Sequence, residues 1–232
     1  MNDPVPLSVL TLTTVPASPH AWQEWAEVRP FIDGRDVLAE IHPDGVSGCS
    51  RWDWFGPAGS WPLTASAEPR RVALSNNDCE PECCGGVFVT VGRRGDRVVW
   101  SSWENSDNDR AALPVEVHFD AVRYDAALAR VVEDTDWEEP LDTVARLMQQ
   151  EFMDNGWFER WGCVLSGTAP RRRSGTYSVG VHFSHRRGQS PARFFFYELP
   201  VDARQPAAEQ ARRHLATIMS GDPRTTAKRQ GG

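Results

Sequence analysis

Three cysteines, Cys79, Cys83 and Cys84, fall within the stretch NNDCEPECCGGVFVTV, residues 76–91. Thiolates are the usual ligands of structural zinc, and a loop tightened by Pro81 would let Cys79 converge with Cys83 or Cys84 on one ion. Such sites normally show two spaced cysteine pairs. Here the second pair is missing, and Cys49, Cys163, His42 or His118 would have to complete the set. Neighbouring residues of a strand point to opposite faces, so at most one of Cys83 and Cys84 is available to an ion. Asp78, Glu80 and Glu82 surround the thiols, raise their pKa and disfavour a reactive thiolate. The residues therefore predict a cluster that mainly packs at the start of a strand behind Gly85-Gly86, with no cofactor. Zinc on Cys79, Cys83 and Cys84 is the competing reading, and with it a metal-dependent or thiol enzyme.

A second candidate site is cationic. Arg171, Arg172 and Arg173, with Arg186 and Arg187 beyond them, sit at what reads as the two ends of one strand, and Phe194, Phe195, Phe196 and Tyr197 supply aromatic rings nearby. Guanidinium groups grip phosphates and rings stack on bases, so this pattern fits nucleic acid as well as a protein partner. In HFSH, His182 and His185 meet only if the chain turns. The acidic run from Glu133 to Glu139 lacks the glycine and the regular oxygen spacing of a calcium loop and reads as a solvated linker. GxSxG, Walker A, GxGxxG and HExxH patterns are all missing, which removes the motif-announced hydrolases, NTPases, dehydrogenases and metalloproteases. Whether the chain is an enzyme stays open at this point.

The elements that must position these residues follow from pattern. LSVLTLTT (7–14) and VRPFIDGRDVLAEI (28–41) alternate as strands, the second split by the Asp33-Gly34 hairpin turn. The Gly/Pro/Ser-rich stretch from His42 to Pro62, with Trp52, Trp54 and Trp61, reads as an ordered loop covering the core edge. Residues 70–75 form a strand, and 87–92 and 97–103 form a hairpin turned by Arg94-Gly95-Asp96 that puts Val87, Val89 and Val91 on one face. After a strand at 115–120, Asp120 caps a helix carrying Val122, Leu128 and Val131 or Val132 near one face. A second helix follows Pro140, with Leu141, Val144, Leu147, Met148 and Phe152 at helical spacing. Strands at 161–166, 175–184 and 192–199 come next, the middle one placing Tyr177, Val179, Val181 and Phe183 opposite Ser178, Gly180, His182 and Ser184. A last helix covers AAEQARRHLATIM. The expected class is α+β, with antiparallel sheets, three helices and a largely β N-terminal half. The expected division is a β-rich domain at 1–135 with a closing helix, an α+β segment at 136–220 packed on it, and a mobile tail at 221–232.

With 232 residues, 40% apolar and 25% charged, the chain can bury a sizeable core without a metal or disulfide staple. Its five cysteines are an odd number, against a disulfide framework, and no secretory leader or membrane-length apolar run is legible, so a cytoplasmic protein with no membrane partner is expected. Charge is unevenly spread. Residues 171–232 carry 12 cationic and 4 anionic side chains, net +8, against a net charge of −7 for the whole. The two parts either neutralise each other or present a basic face to an anionic partner.

From about residue 28 to 135, VRPFIDGRDVL, then CxxxCCGGVFVTV and GDRVVWSSW, then FDAVRYDAALARV resemble a family of uncharacterised actinobacterial proteins with a cysteine-rich lead into a strand, a VVW strand and a terminal helix. Members carry a C-x-C-G-like pattern where this chain has C-x3-C-C, and the resemblance implies no activity. Residues and resemblance together predict a partner-binding module, its partner a protein or a nucleic acid, engaged through loop-borne aromatics and the basic C-terminal part.

Overall fold

Valines at alternate positions make VFVTVGRR a strand, and a glycine after it lets the chain reverse. The computed structural model describes residues 5–17, 25–42, 46–56, 58–76, 85–106, 112–173, 175–185 and 192–230. The chain divides into two units, one of Met1–Ala17 with Ala26–Trp137 and one of Ser18–Trp25 with Glu138–Gly232. It is a mixed protein of antiparallel sheets and helices, β-rich in its N-terminal part, with five α-helical segments among the described residues where three were expected.

In the first unit, β1 (Leu10–Val15) pairs with β2 (Glu27–Ile32), which turns through Asp33 and Gly34 into β3 (Arg35–Asp36). Both turn residues have positive φ, 51° and 80°, as a two-residue hairpin requires. The returning arm does not continue to Ile41 as a strand. Asp36 accepts hydrogen bonds from the Leu38 and Ala39 amides, starting α1 (Val37–Ile41), and pairs with Arg29 at 2.9 Å. A side-chain cap plus a Leu-Ala-Glu sequence outweighs the β preference of one valine. The Trp-rich stretch is likewise more regular than a loop. It contains β4 (Ser47–Ser50), which pairs with β2, and two 3₁₀ turns, Arg51–Trp54 and Ala58–Ser60.

A second sheet of that unit runs in the order β5 (Arg70–Ala73), β7 (Val87–Arg94), β8 (Arg97–Asn105), β9 (Glu116–Asp120), while β6 (Ser75–Asn76) pairs with β4. Gly95, at φ 64°, opens the β7–β8 turn. Val87, Val89 and Val91 are buried together, as alternation predicts. Asp120 then caps α2 (Ala121–Glu133), its carboxylate accepting from the Arg123 amide at 2.9 Å. Leu128 and Val131 face the core, but Val122 is 78% exposed. The buried row is Ala121, Tyr124, Leu128, Val131, and a residue one position past its start is rotated away by about 100°.

In the second unit, Pro140 begins α3 (Pro140–Asp154), where Glu139 and Asp142 form a reciprocal capping box. Leu141, Val144, Met148 and Phe152 line its buried stripe. Beyond it, β10 (Cys163–Arg173), β11 (Thr176–His185), β12 (Arg193–Pro200) and β13 (Lys228–Gln230) form a sheet in that order, all pairs antiparallel. Val179, Val181 and Phe183 turn one face of β11 toward α3, whereas Tyr177 on the same side is 45% exposed at the strand end. After α4 (Ala207–Ile218), the segment expected as a mobile tail instead makes a helical turn, α5 (Pro223–Thr226), and then β13. The Tyr197 hydroxyl holds it in place, bonded to the Pro223 carbonyl at 2.9 Å and to Thr226 Oγ1 at 2.7 Å.

Candidate functional site

The period of two along a strand sorts the C-terminal sheet into two faces. Register pairs His182 with Phe196 and Phe196 with Lys228, so these three lie in one row across β11, β12 and β13, on the face turned away from α3. Arg171, opposite Ser178 on β10, belongs to the same face. Its guanidinium crosses β11 above Gly180, where a Cβ would come within 2.6 Å of Nε, and Nη2 reaches His182 Nε2 at 2.8 Å. Glycine at 180 is thus what lets the arginine lie across the strand. The His182 and Phe196 rings are nearly parallel, at 14°, with centroids 6.0 Å apart, and Lys228 Nζ stands 5.7 Å from the Phe196 centroid, within cation–π reach. Phe194, two residues back on β12, is 52% exposed. Glu198 is the acidic residue of this face, with Ser178 Oγ 3.5 Å away.

A guanidinium can only donate, so His182 Nε2 accepts and the neutral ring carries its proton on Nδ1. Burial, then the neighbouring Arg171 charge, hold the His182 pKa below its usual 6.5, against a hydrogen bond that the ring donates to Gln230 and that pulls the other way. Arg171→Gln removes one of the lowering causes. The NMR titration midpoint of His182 is expected to rise in that variant, and an unchanged midpoint would mean that Arg171 does not sense the ring in solution.

The arginine triplet does not act as one patch. Arg172 points to the helix side, where Nη2 meets Asp142 Oδ2 at 2.5 Å and Glu139 Oε2 at 3.2 Å. It anchors β10 to the start of α3 and is not available as a phosphate grip. The backbone of Arg173 continues β10, and Arg186 and Arg187 lie outside the described residues. His182 and His185 fall on opposite faces because β11 runs straight through both. His185 Nε2 instead meets Arg224 Nη1 at 2.9 Å, and Arg224 pairs with Asp222. The acidic run does not form a cation loop either: Glu138 pairs with Arg146 and Glu139 caps α3.

Cys79, Cys83 and Cys84 lie outside the described residues. Cys49 Sγ donates to the Ala73 carbonyl at 2.9 Å, and burial pushes its thiol up to about 12, so it is a packed thiol and not a thiolate. Cys163 is buried and its pKa is also raised, chiefly by desolvation. His118 Nε2 is taken up by Glu116 at 2.6 Å. Among the described residues no group of three or more His, Cys, Asp and Glu side chains is arranged to hold a metal ion. Nor do the loop-borne tryptophans form an exposed platform: Trp54 is fully buried, and Trp61 Nε1 donates to the Gly56 carbonyl at 2.8 Å.

The sequence places Arg171 with Phe194 and Phe196 in one candidate site, but it leaves His182 apart from them and Lys228 in the tail. The alternation of FFFY, which must put Phe194 and Phe196 on one side, was the available signal. The fold and site define a two-unit α+β protein with a basic and aromatic sheet face. No family profile, curated protein or solved structure matches the chain. No helix among the described residues is long and apolar enough to cross a membrane.

Proposed function

We propose that this chain is a cytoplasmic binding module that engages an anionic partner through the outward face of its C-terminal sheet. The observation that carries the reading is the row His182, Phe196, Lys228 across β11, β12 and β13, joined from β10 by the Arg171 side chain, on the side away from α3. Antiparallel sheets often leave one face to solvent, and that face is then usually small and polar. Among the described residues this one bears the cations Arg171 and Lys228 and the rings of Phe194 and Phe196, against the single carboxylate of Glu198. Part of the basic character of residues 171–232 is consumed inside the unit, by Arg172 with Asp142, Arg204 with Asp202 and Arg224 with Asp222. Arg171 and Lys228 are turned instead toward the imidazole and the ring of this face.

Binding of a fluorescent heparin oligosaccharide at low ionic strength tests the reading. The chain is expected to bind, with affinity falling as salt rises, and Arg171→Glu with Lys228→Glu is expected to weaken binding roughly tenfold or more, the scale of two exposed charge contacts. No binding at low salt, or equal binding by the charge-reversed variant, would sink it.

A further inference from the structure

We infer that the partner is single-stranded nucleic acid, with consecutive bases stacked on Phe194 and Phe196 and phosphates held by Arg171 and Lys228. The inference rests on the proposed binding face and deepens it. Charge alone would suit any polyanion, but the aromatic rings add a requirement that only some polyanions meet. Phe194 is a large apolar ring left 52% exposed in the same face as two cations, and Phe196 presents its ring between His182 and Lys228. Residues two apart on a strand are about 6.8 Å apart, about twice the 3.4 Å step between stacked bases. Successive bases must therefore be splayed to sit on both rings, which a single strand permits and a duplex does not. The ring of Phe196, already beside a flat imidazole, offers a π surface that every base can use, so little sequence preference is expected. Ser184 and Gln230 on the same face supply hydroxyl and amide groups to hydrogen-bond base edges or sugars.

Fluorescence anisotropy with labelled eight-nucleotide DNA and RNA oligomers, alongside their duplexes, the heparin oligosaccharide and an Asp-rich peptide, tests this. Single strands are expected to bind more tightly than duplexes. Phe194→Ala and Phe196→Ala are each expected to weaken single-strand binding roughly five- to hundredfold while leaving heparin binding within twofold, and Phe194→Trp is expected to restore it. With two phosphate contacts the slope of log affinity against log salt should be about −1.4, and Arg171→Gln should remove about half of it. Circular dichroism and thermal melting check that each variant is folded. The DNA and RNA arms show whether a 2′-hydroxyl is read. Heparin binding that depends on Arg171 and Lys228, with oligonucleotides bound no tighter than heparin or indifferent to both phenylalanines, would overturn the inference and leave the anionic-partner reading standing. Phenylalanine-dependent binding of the acidic peptide in preference to oligonucleotides would overturn it in favour of a protein partner. Absence of all polyanion binding would remove both.

Discussion

Arg172→Ala is expected to destabilise the second unit by about 3–5 kcal/mol, the cost of leaving a buried charge without its partner. Asp142 is 2% exposed, its Oδ2 takes the Arg172 guanidinium at 2.5 Å, and its Oδ1 has no hydrogen-bond partner to fall back on. Burial already outweighs the attraction of Arg172 and holds the Asp142 carboxyl above its ordinary 3.8. The folded state therefore keeps this proton more tightly than the unfolded state does, and the stability linked to it is present at low pH and lost as pH rises through the folded pKa. Without Arg172 the pKa climbs further, so the variant should lose stability more steeply than the parent between about pH 4 and neutrality. Urea unfolding at a series of pH values measures this, and adding Asp142→Asn to the variant should recover much of the loss by removing the buried charge. Indifference to pH would show that Asp142 is hydrated in solution. Arg172 is on the helix side of β10, so the folded fraction of Arg172→Ala should still bind the heparin oligosaccharide as the parent does, unlike the Arg171 variant.

Trp100→Ala should cost the first unit about 3–5 kcal/mol, the range for deleting a fully buried large aromatic. Trp100 is completely buried and packs against Trp103, Phe119 and Tyr124 with centroids 5.6, 5.3 and 6.3 Å away. Its Nε1 donates to the Tyr124 hydroxyl at 3.1 Å, which in turn donates to the Leu63 carbonyl at 2.7 Å, tying β8, α2 and the segment before β5 together. Trp100→Phe keeps most of the ring contact and loses the first hydrogen bond, a change of about 1 kcal/mol if the cavity collapses. A Trp100→Ala melting curve that overlays the parent would mean that this aromatic cluster is not the core of the unit.

The candidate site was half legible. Arg171 and Arg172 are adjacent and chemically identical, and local sequence says only that they point in opposite directions. Which of them meets α3 and which meets the outward face depends on the register between β10 and β11, and that is set by the packing of Val179, Val181 and Phe183. Lys228 was harder still. Three residues near the C-terminus carry no strand pattern of their own and become β13 only because the edge of β12 is there to accept their hydrogen bonds.

What the sequence determined by itself was whatever a residue decides within its own neighbourhood. Asp33-Gly34 and Gly95 supply the positive φ that tight reversals need, Asp120 offers a cap to the amide three residues on, Pro140 opens a helix, and alternating valines bury one side of β7. These preferences are local, so they survive in any tertiary context that does not oppose them. Tertiary structure alone decided the rest: that Val122 is solvated while Tyr124 is buried, and that the Arg171 side chain reaches the row of His182, Phe196 and Lys228. Those outcomes depend on partners tens of residues away, and their energy comes from burial and pairing that neither segment possesses until the other is in place.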